Sequence, residues 1–386
     1  MMATNPIAAE QAAGTTVLRR GTLSELAQRL ERLKATTKDV VADTRDVRLV
    51  RRDPPGDDPI VLDVPKLDWL PLTRHAHTQL AEKVGIPQRF YDRLQRDHPS
   101  LLVDNVNGLI GDGPERRLFR AADGHVRAIL SDRYRVLDSY DLALKLAERA
   151  VQHNAQIETC TLTEQRMAIK VVVPGAREKV GELTAELRAQ HARQAAKHLV
   201  NRGSVMDLDA DYVVPGVMVS NSEVGAGAFK VEPFAMRLVC WNGAISEASL
   251  YKVHIGGRLE SGEVVYSDHT RELSDQALWA QVSDVIDATF NPDAFRAMIG
   301  RMRDSKSVEI AKPVQVTDAV AKNLALPLIK KEALLRYFSV DGFTAFGLAN
   351  GITRLAQDEE SPDAQTELER YAGRIFAEPD QVLALA

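Results

Sequence analysis

The pair Asp123-Gly124 constrains this chain more than any other two residues. It separates two runs of strand-forming residues, Arg116–Ala122 and His125–Ser131. A two-residue connection of this kind wants positive φ at both positions, and it closes an antiparallel hairpin. Residues 157–163 and 167–173 read as a second hairpin closed by a short polar turn. Residues 212–257 stay β-rich, with strand-like runs at 213–214, 217–219, 229–231, 237–241 and 251–255. Pro215-Gly216, the polar stretch 220–227 and Asn242-Gly243 punctuate them. After about residue 270 apolar residues recur every three to four positions, the period of a helix. The expected fold class is α+β: mostly antiparallel β-hairpins packed with helices, followed by a helical C-terminal portion. The expected division is an N-terminal tail and amphipathic helix over 1–60, an α+β core over 61–265 and a helical region over 266–386.

Local signals mark the helices. Thr22 followed by Glu25 fits a capping box, and Leu23, Leu26, Leu30 and Leu33 then share one face. Residues 45–58 are charged, end in Pro54-Pro55-Gly56-Asp57-Asp58 and read as a loop or linker. Thr73 caps a short helix that Gly85 stops, and Pro87 suits the first turn of the next. Such a pair resembles a helix–turn–helix in spacing, although short helix pairs are more often plain packing units. Residues 184–201 read as a helix carrying Arg188, Arg193 and Lys197, with Arg202 just beyond and no acid between Glu186 and Asp207.

Composition excludes some classes of function. Lys and Arg number 49 against 54 Asp and Glu, a net charge of −5, so the chain is no uniformly basic nucleic-acid wrapper. A locally basic groove remains open to it. No apolar run approaches the roughly 18 residues of a membrane span. The N-terminal residues lack the apolar core of a secretory signal. Two cysteines, Cys160 and Cys240, make no disulfide framework and read as buried thiols. A reducing cytoplasm is the expected location.

The midsection hairpin holds the best candidate chemistry. Arg116, Arg117, Arg120, Arg127, Arg133 and Arg135 face only Glu115, Asp123 and Asp132 between residues 115 and 135. Guanidinium groups bind phosphate oxygens bidentately, and Tyr134 offers a ring for stacking. Lys252, His254 and Arg258 can extend such a track. Their bland counterpart is a solvated sheet face paired with acids. Asn221, Ser222 and Glu223 stand at a sharp bend, where they line a groove or bind turn amides, the second being favoured. Gly225 and Gly227 lack the third glycine of a dinucleotide loop, and no GxxxxGK[ST] occurs. His75 and His77 are two apart with no carboxylate at ligand spacing, which favours capping or surface roles over metal. No cofactor or metal is called for, and no catalytic residue is assigned.

Four stretches, TRHAHTQLAEKVGIPQRFY (73–91), RAILSDRYRVLD (127–138), VMVSNSEVGAG (217–227) and RLVCWNG (237–243), occur in order. With the later FTAFGLANGITRLAQD and ELERYAG, the sequence resembles a phage- and plasmid-associated family known only as a domain of unknown function (family 932). The resemblance spans about residues 65 to 376 and implies a mobile-element origin, with no settled activity. The leading expectation is a non-catalytic DNA-metabolism protein that binds single-stranded DNA in a basic groove, or anneals strands as a homo-oligomer. That step is analogy at the level of fold. One competing class is an enzyme acting on nucleic acid or a small ligand, with Asn221, Glu223, His254 and Cys240 around one pocket. Another is a structural or host-interaction protein.

Overall fold

The computed structural model describes residues 18–52, 59–134, 136–198, 209–245, 251–253, 268–289 and 292–385. Strand β1 (Leu18–Gly21) leads into helix α1 (Leu23–Thr36), then β2 (Lys38–Asp43), β3 (Arg48–Arg51), β4 (Ile60–Asp63) and β5 (Leu70–Pro71). Three helices follow, α2 (Arg74–Lys83), α3 (Gln88–Asp97) and α4 (Pro99–Leu109), and then the hairpin β6 (Arg116–Ala122) and β7 (His125–Ser131). Next come α5 (Ser139–Gln152), β8 (Gln156–Leu162), β9 (Met167–Val172), β10 (Glu178–Gly181) and α6 (Ala185–His198). Strands β11 (Asp211–Asn221), β12 (Phe229–Arg237), β13 (Asn242–Ile245) and β14 (Tyr251–Val253) precede the helical part. That part comprises α7 (Asp268–Thr289), α8 (Pro292–Asp304), α9 (Pro313–Asn323), α10 (Leu328–Val340), α11 (Ala345–Gln357) and α12 (Pro362–Ala377).

The fold is α+β with antiparallel sheets and a helical C-terminal region, as the patterning indicates. The main sheet runs β1-β8-β9-β11-β12-β13, with β10 added on β11 and β14 on β12. Two three-stranded sheets, β2-β6-β7 and β3-β4-β5, accompany it. Asp123 and Gly124 take φ of 50° and 74°, so the hairpin turn has the left-handed backbone its sequence demands. The capping box on α1 is present in both directions, Thr22 to the Glu25 amide and Glu25 back to Thr22.

Alternation along the strands gives the main sheet two different faces. Cys160, Leu162, Ile169, Val171, Val217, Val219 and Val231 pack with Leu26 and Leu30 of α1, Leu142 and Leu146 of α5, and Leu278 and Val282 of α7. The opposite face carries Thr159, Thr161, Lys170, Met218, Phe234 and Met236, and it borders a cavity. The helical region has its own core, in which Phe295, Ile299, Phe338, Phe346, Ile352 and Phe376 meet Val213, Ala235 and Ala244 of the sheet. Arg237 ties these parts together. Only 2% exposed, it bonds Asp211 of β11 and, at 2.7 and 2.8 Å, Asp341 beyond α10. A third apolar core joins α2, α3 and α4 to the two small sheets around Tyr91, Phe119 and Leu80.

Three local expectations change. Pro215-Gly216 does not break a strand, because β11 runs unbroken from Asp211 to Asn221. Strand β9 pairs with β11 only from Gly216 onward, so the missing proline N–H is not needed, while the Pro215 carbonyl accepts from Val173 N. The runs 229–231 and 237–241 are not separate strands: β12 is one strand ending at Arg237, the chain turns through 238–241, and Asn242-Gly243 opens β13. Within 45–58, residues Arg48–Arg51 form a strand rather than linker. The proposed N-terminal tail lies outside the described residues.

Candidate functional site

The midsection arginines divide into two groups. Arg120 is buried, with Nη1 2.7 Å from Asp39 and Nη2 2.9 Å from Glu223. Arg127 is buried as well, and its Nη2 donates to the Glu164 carbonyl at 3.3 Å. Arg117 is half-buried and pairs with Glu115 at 2.7 Å. Arg116, in register with Asp43 of β2, and Arg133 are exposed. The expected continuous cationic track is therefore interrupted at its centre. Desolvation explains the arrangement: a buried guanidinium is tolerable only beside carboxylates or carbonyls. Arg135, His254 and Arg258 lie outside the described residues, and Lys252 occupies β14 in register with Lys230.

The two candidate sets of the sequence meet each other in the interior. Glu223 accepts from Arg120 and, at 2.8 Å, from the Ser139 amide. Burial pushes its carboxyl up, but Arg120, the Ser139 amide and Arg127 together hold it below its ordinary range. Asp39 moves the other way, because burial outweighs the pull of Arg120. Tyr134 donates its hydroxyl to the Ser222 carbonyl at 3.0 Å, and its half-buried ring packs beside Leu118, Leu130 and Val224. Ser222 accepts from the Ala226 amide at 2.9 Å, and Asn221 donates to the Leu137 carbonyl at 2.8 Å. Ser222 thus binds an amide of its own turn, whereas Asn221 and Glu223 tie the bend to Leu137, Ser139 and Arg120.

His75 and His77 are buried rather than superficial. His75 Nε2 is 2.8 Å from the Val224 carbonyl. Gln95 donates to His77 Nε2 at 3.0 Å, which leaves the ring proton on Nδ1, 2.8 Å from the Tyr91 hydroxyl. Burial lowers the His77 pKa to about 4. Cys160 and Cys240 are free, buried thiols pushed up to about 12 by burial. The pocket imagined around Glu223 and Cys240 does not bring them together: Cys240 packs with Leu187, Leu238 and Val239, far along the sheet from the Glu223 bend.

A cavity of about 260 Å³ opens instead on the face of the main sheet that carries Lys170, Met218, Phe234 and Met236. Its floor is Thr159, Lys170, Met218, Phe234 and Met236; α12 supplies Gln365, Thr366 and Glu369; Arg20, Trp241 and Gln357 complete the rim. The floor is concave because Gly216 and Gly243 make room for Phe234. A Cβ at Gly216 would lie 2.5 Å from Phe234 Cζ. Lys170 Nζ sits 2.6 Å from both oxygens of Glu369, which also accepts from Gln365 at 3.0 Å. The Thr159 hydroxyl is buried and has no hydrogen-bond partner among the described residues.

The rim is cationic and aromatic. Arg20 is exposed, takes a left-handed backbone (φ 49°) and donates to the Gln357 carbonyl at 2.9 Å. It has no carboxylate partner among the described residues. Trp241 takes φ 51°, a conformation that costs a bulky residue about 1–3 kcal/mol. Its ring meets His191 of α6 edge-on, with centroids 6.0 Å apart. Leu187, one helical turn before His191, packs under the 238–241 turn, so the acid-poor basic helix seen in the sequence stands beside the rim. Arg188 is exposed there without an ion pair among the described residues. Sequence reasoning noticed α6 but missed Arg20, Thr159, Lys170, Trp241, Gln365 and Glu369. Among the described residues no helix is long and apolar enough to cross a membrane. In comparison with known proteins, no family model, no curated protein and no solved structure matches the chain, so the phage and plasmid resemblance rests on its quoted motifs.

Proposed function

We propose that this chain binds single-stranded nucleic acid without cutting or modifying it, and that the contact lies on the rim formed by Arg20, Trp241 and α6. The observation that carries the reading is Trp241. A strained, half-buried indole stands between a guanidinium with no carboxylate partner among the described residues and a basic helix. Aromatic rings beside cations are what a flexible strand offers to bind: bases stack and phosphates pair. The quoted resemblance to a family of mobile elements agrees with such a role. Promotion of strand annealing by an oligomer is the finer form of the same proposal. Among the described residues the midsection arginines contribute through Arg116 and Arg133, since Arg120 and Arg127 are enclosed.

Fluorescence anisotropy with labelled oligodeoxynucleotides across a salt series tests the proposal. Each phosphate contact removed should flatten the log–log salt slope by about 0.7. Arg20→Ala and Arg188→Ala are expected to do so individually. Absence of binding at about 50 mM salt, or a slope that neither variant changes, rejects the reading. Annealing is followed with complementary labelled strands under the same conditions.

A second reading is favoured by the cavity itself, whose size and mixed walls suit a small organic ligand. Stabilisation by small metabolites in a thermal scan, with no affinity for oligonucleotides, would select it.

A further inference from the structure

The cavity and its rim differ in charge. Inside, the charged side chains are Lys170, Glu158 and Glu369, and Arg20 stands at the mouth, so positive and negative groups balance. Lys170 and Glu369 also neutralise each other directly. Two helix N-termini reach the wall, but each is already capped, α1 by Thr22 with Glu25 and α12 by Ser361. A phosphate or carboxylate would find no uncommitted counter-charge on this floor. A neutral group loses nothing by entering.

The remaining chemistry describes the shape of that group. Phe234, Met218, Met236 and Trp241 give flat, apolar and polarisable surfaces. Gln365 commits its amide N–H to Glu369 and leaves its carbonyl oxygen as an acceptor. The walls thus combine apolar planes with an acceptor. The volume, about 260 Å³, equals roughly nine liquid waters, enough space for one heteroaromatic ring system.

We infer that the cavity receives one unstacked nucleobase of the bound strand, with Trp241 at its mouth and Gln365 at its polar edge. This rests on the nucleic-acid reading above. Phosphates would stay on the cationic rim while the uncharged base turns inward. Extruding a base from an already single strand sacrifices little stacking, so an unpaired substrate is the suitable one.

The experiment compares an oligonucleotide with its fully abasic counterpart, using the whole chain and the same salt series. The intact strand is expected to bind about tenfold more tightly, with equal salt slopes. Gln365→Met, which removes the acceptor, and Trp241→Ala should each shrink that ratio while leaving the slope. Quenching of 2-aminopurine placed in the strand should fall in parallel. Equal affinity for intact and abasic strands at an unchanged slope overturns the base pocket and the stacking on Trp241, and leaves only the phosphate contacts of the rim. No strand binding at all, with or without stabilisation by free nucleosides, overturns both. The wild-type comparison alone decides the matter if a variant fails to fold.

Discussion

Lys170 and Glu369 form a bidentate ion pair between the sheet and the last long helix, with Nζ 2.6 Å from each carboxylate oxygen. Lys170, Met218 and Glu232 stand in register on three neighbouring strands. Helix α12 answers both charges with consecutive residues, Glu369 to Lys170 and Arg370 to Glu232, the latter through two bonds of 2.7 Å. A one-residue slip of the helix would set like charges together, so the pairs fix its register.

The Lys170 and Glu369 side chains are only 14% and 3% exposed, so screening by solvent is limited. Lys170→Met should therefore cost about 3–5 kcal/mol, because the Glu369 charge is left buried. Adding Glu369→Leu should recover much of that loss. Urea unfolding of the two single variants and the double variant measures the coupling, and strict additivity would contradict it.

Arg120 and Arg116 lie four residues apart on β6 but should behave differently. Arg120→Met strands Glu223 and Asp39 and should destabilise the fold by about 2–4 kcal/mol. Arg116→Ala, on an exposed position, should stay within about 0.5 kcal/mol. Equal unfolding midpoints for the two variants would refute the enclosed network.

His77 makes stability depend on pH. Burial lowers its pKa in the folded chain from 6.5 to about 4. Between those values the unfolded chain takes up a proton that the folded chain refuses. The contribution is complete above about pH 6.5 and is lost as pH falls toward 4, by roughly 3 kcal/mol at most. Urea midpoints at pH 7 and pH 5 should differ less in His77→Gln than in the wild type, and an unchanged difference would argue against this origin.

Both thiols should be inert in the folded state. Burial raises Cys160 and Cys240 to about 12, and both are enclosed. Labelling with a thiol reagent at pH 8 should proceed only after unfolding in urea. Rapid native labelling of either would place it at the surface.

Gly216→Ala tests the seat of Phe234. The added Cβ would come 2.5 Å from Phe234 Cζ and 2.7 Å from the Val171 carbonyl, and the backbone oxygen cannot swing aside. A loss of about 1–3 kcal/mol is expected, with a smaller cavity. Calorimetry reads the first, and a stability equal to wild type would show that the sheet yields.

What the sequence disclosed and what it withheld separate by range. Asp123-Gly124 and the Thr22–Glu25 cap were readable because each signal is complete within four residues. The pairing of Arg120 was not, because its acids lie 81 and 103 positions away, at Asp39 and Glu223. Pro215-Gly216 read as a break because proline usually excludes itself from paired strands, and only the end of β9 shows why it is admitted here. The cavity draws on residues from 20 to 369, a set with no local spacing to recognise. Its one local trace was the acid-poor stretch of α6.

Strand β1 has a further consequence. It pairs with β8 through Leu18 and Gly21, opposite Leu162 and Cys160, while Arg20 reaches across to Gln357. A truncation beginning at Thr22 would remove more than a short segment. It would bare the rim of β8 as a template onto which a foreign strand can add, and such a shortened chain should self-associate through that newly uncovered border.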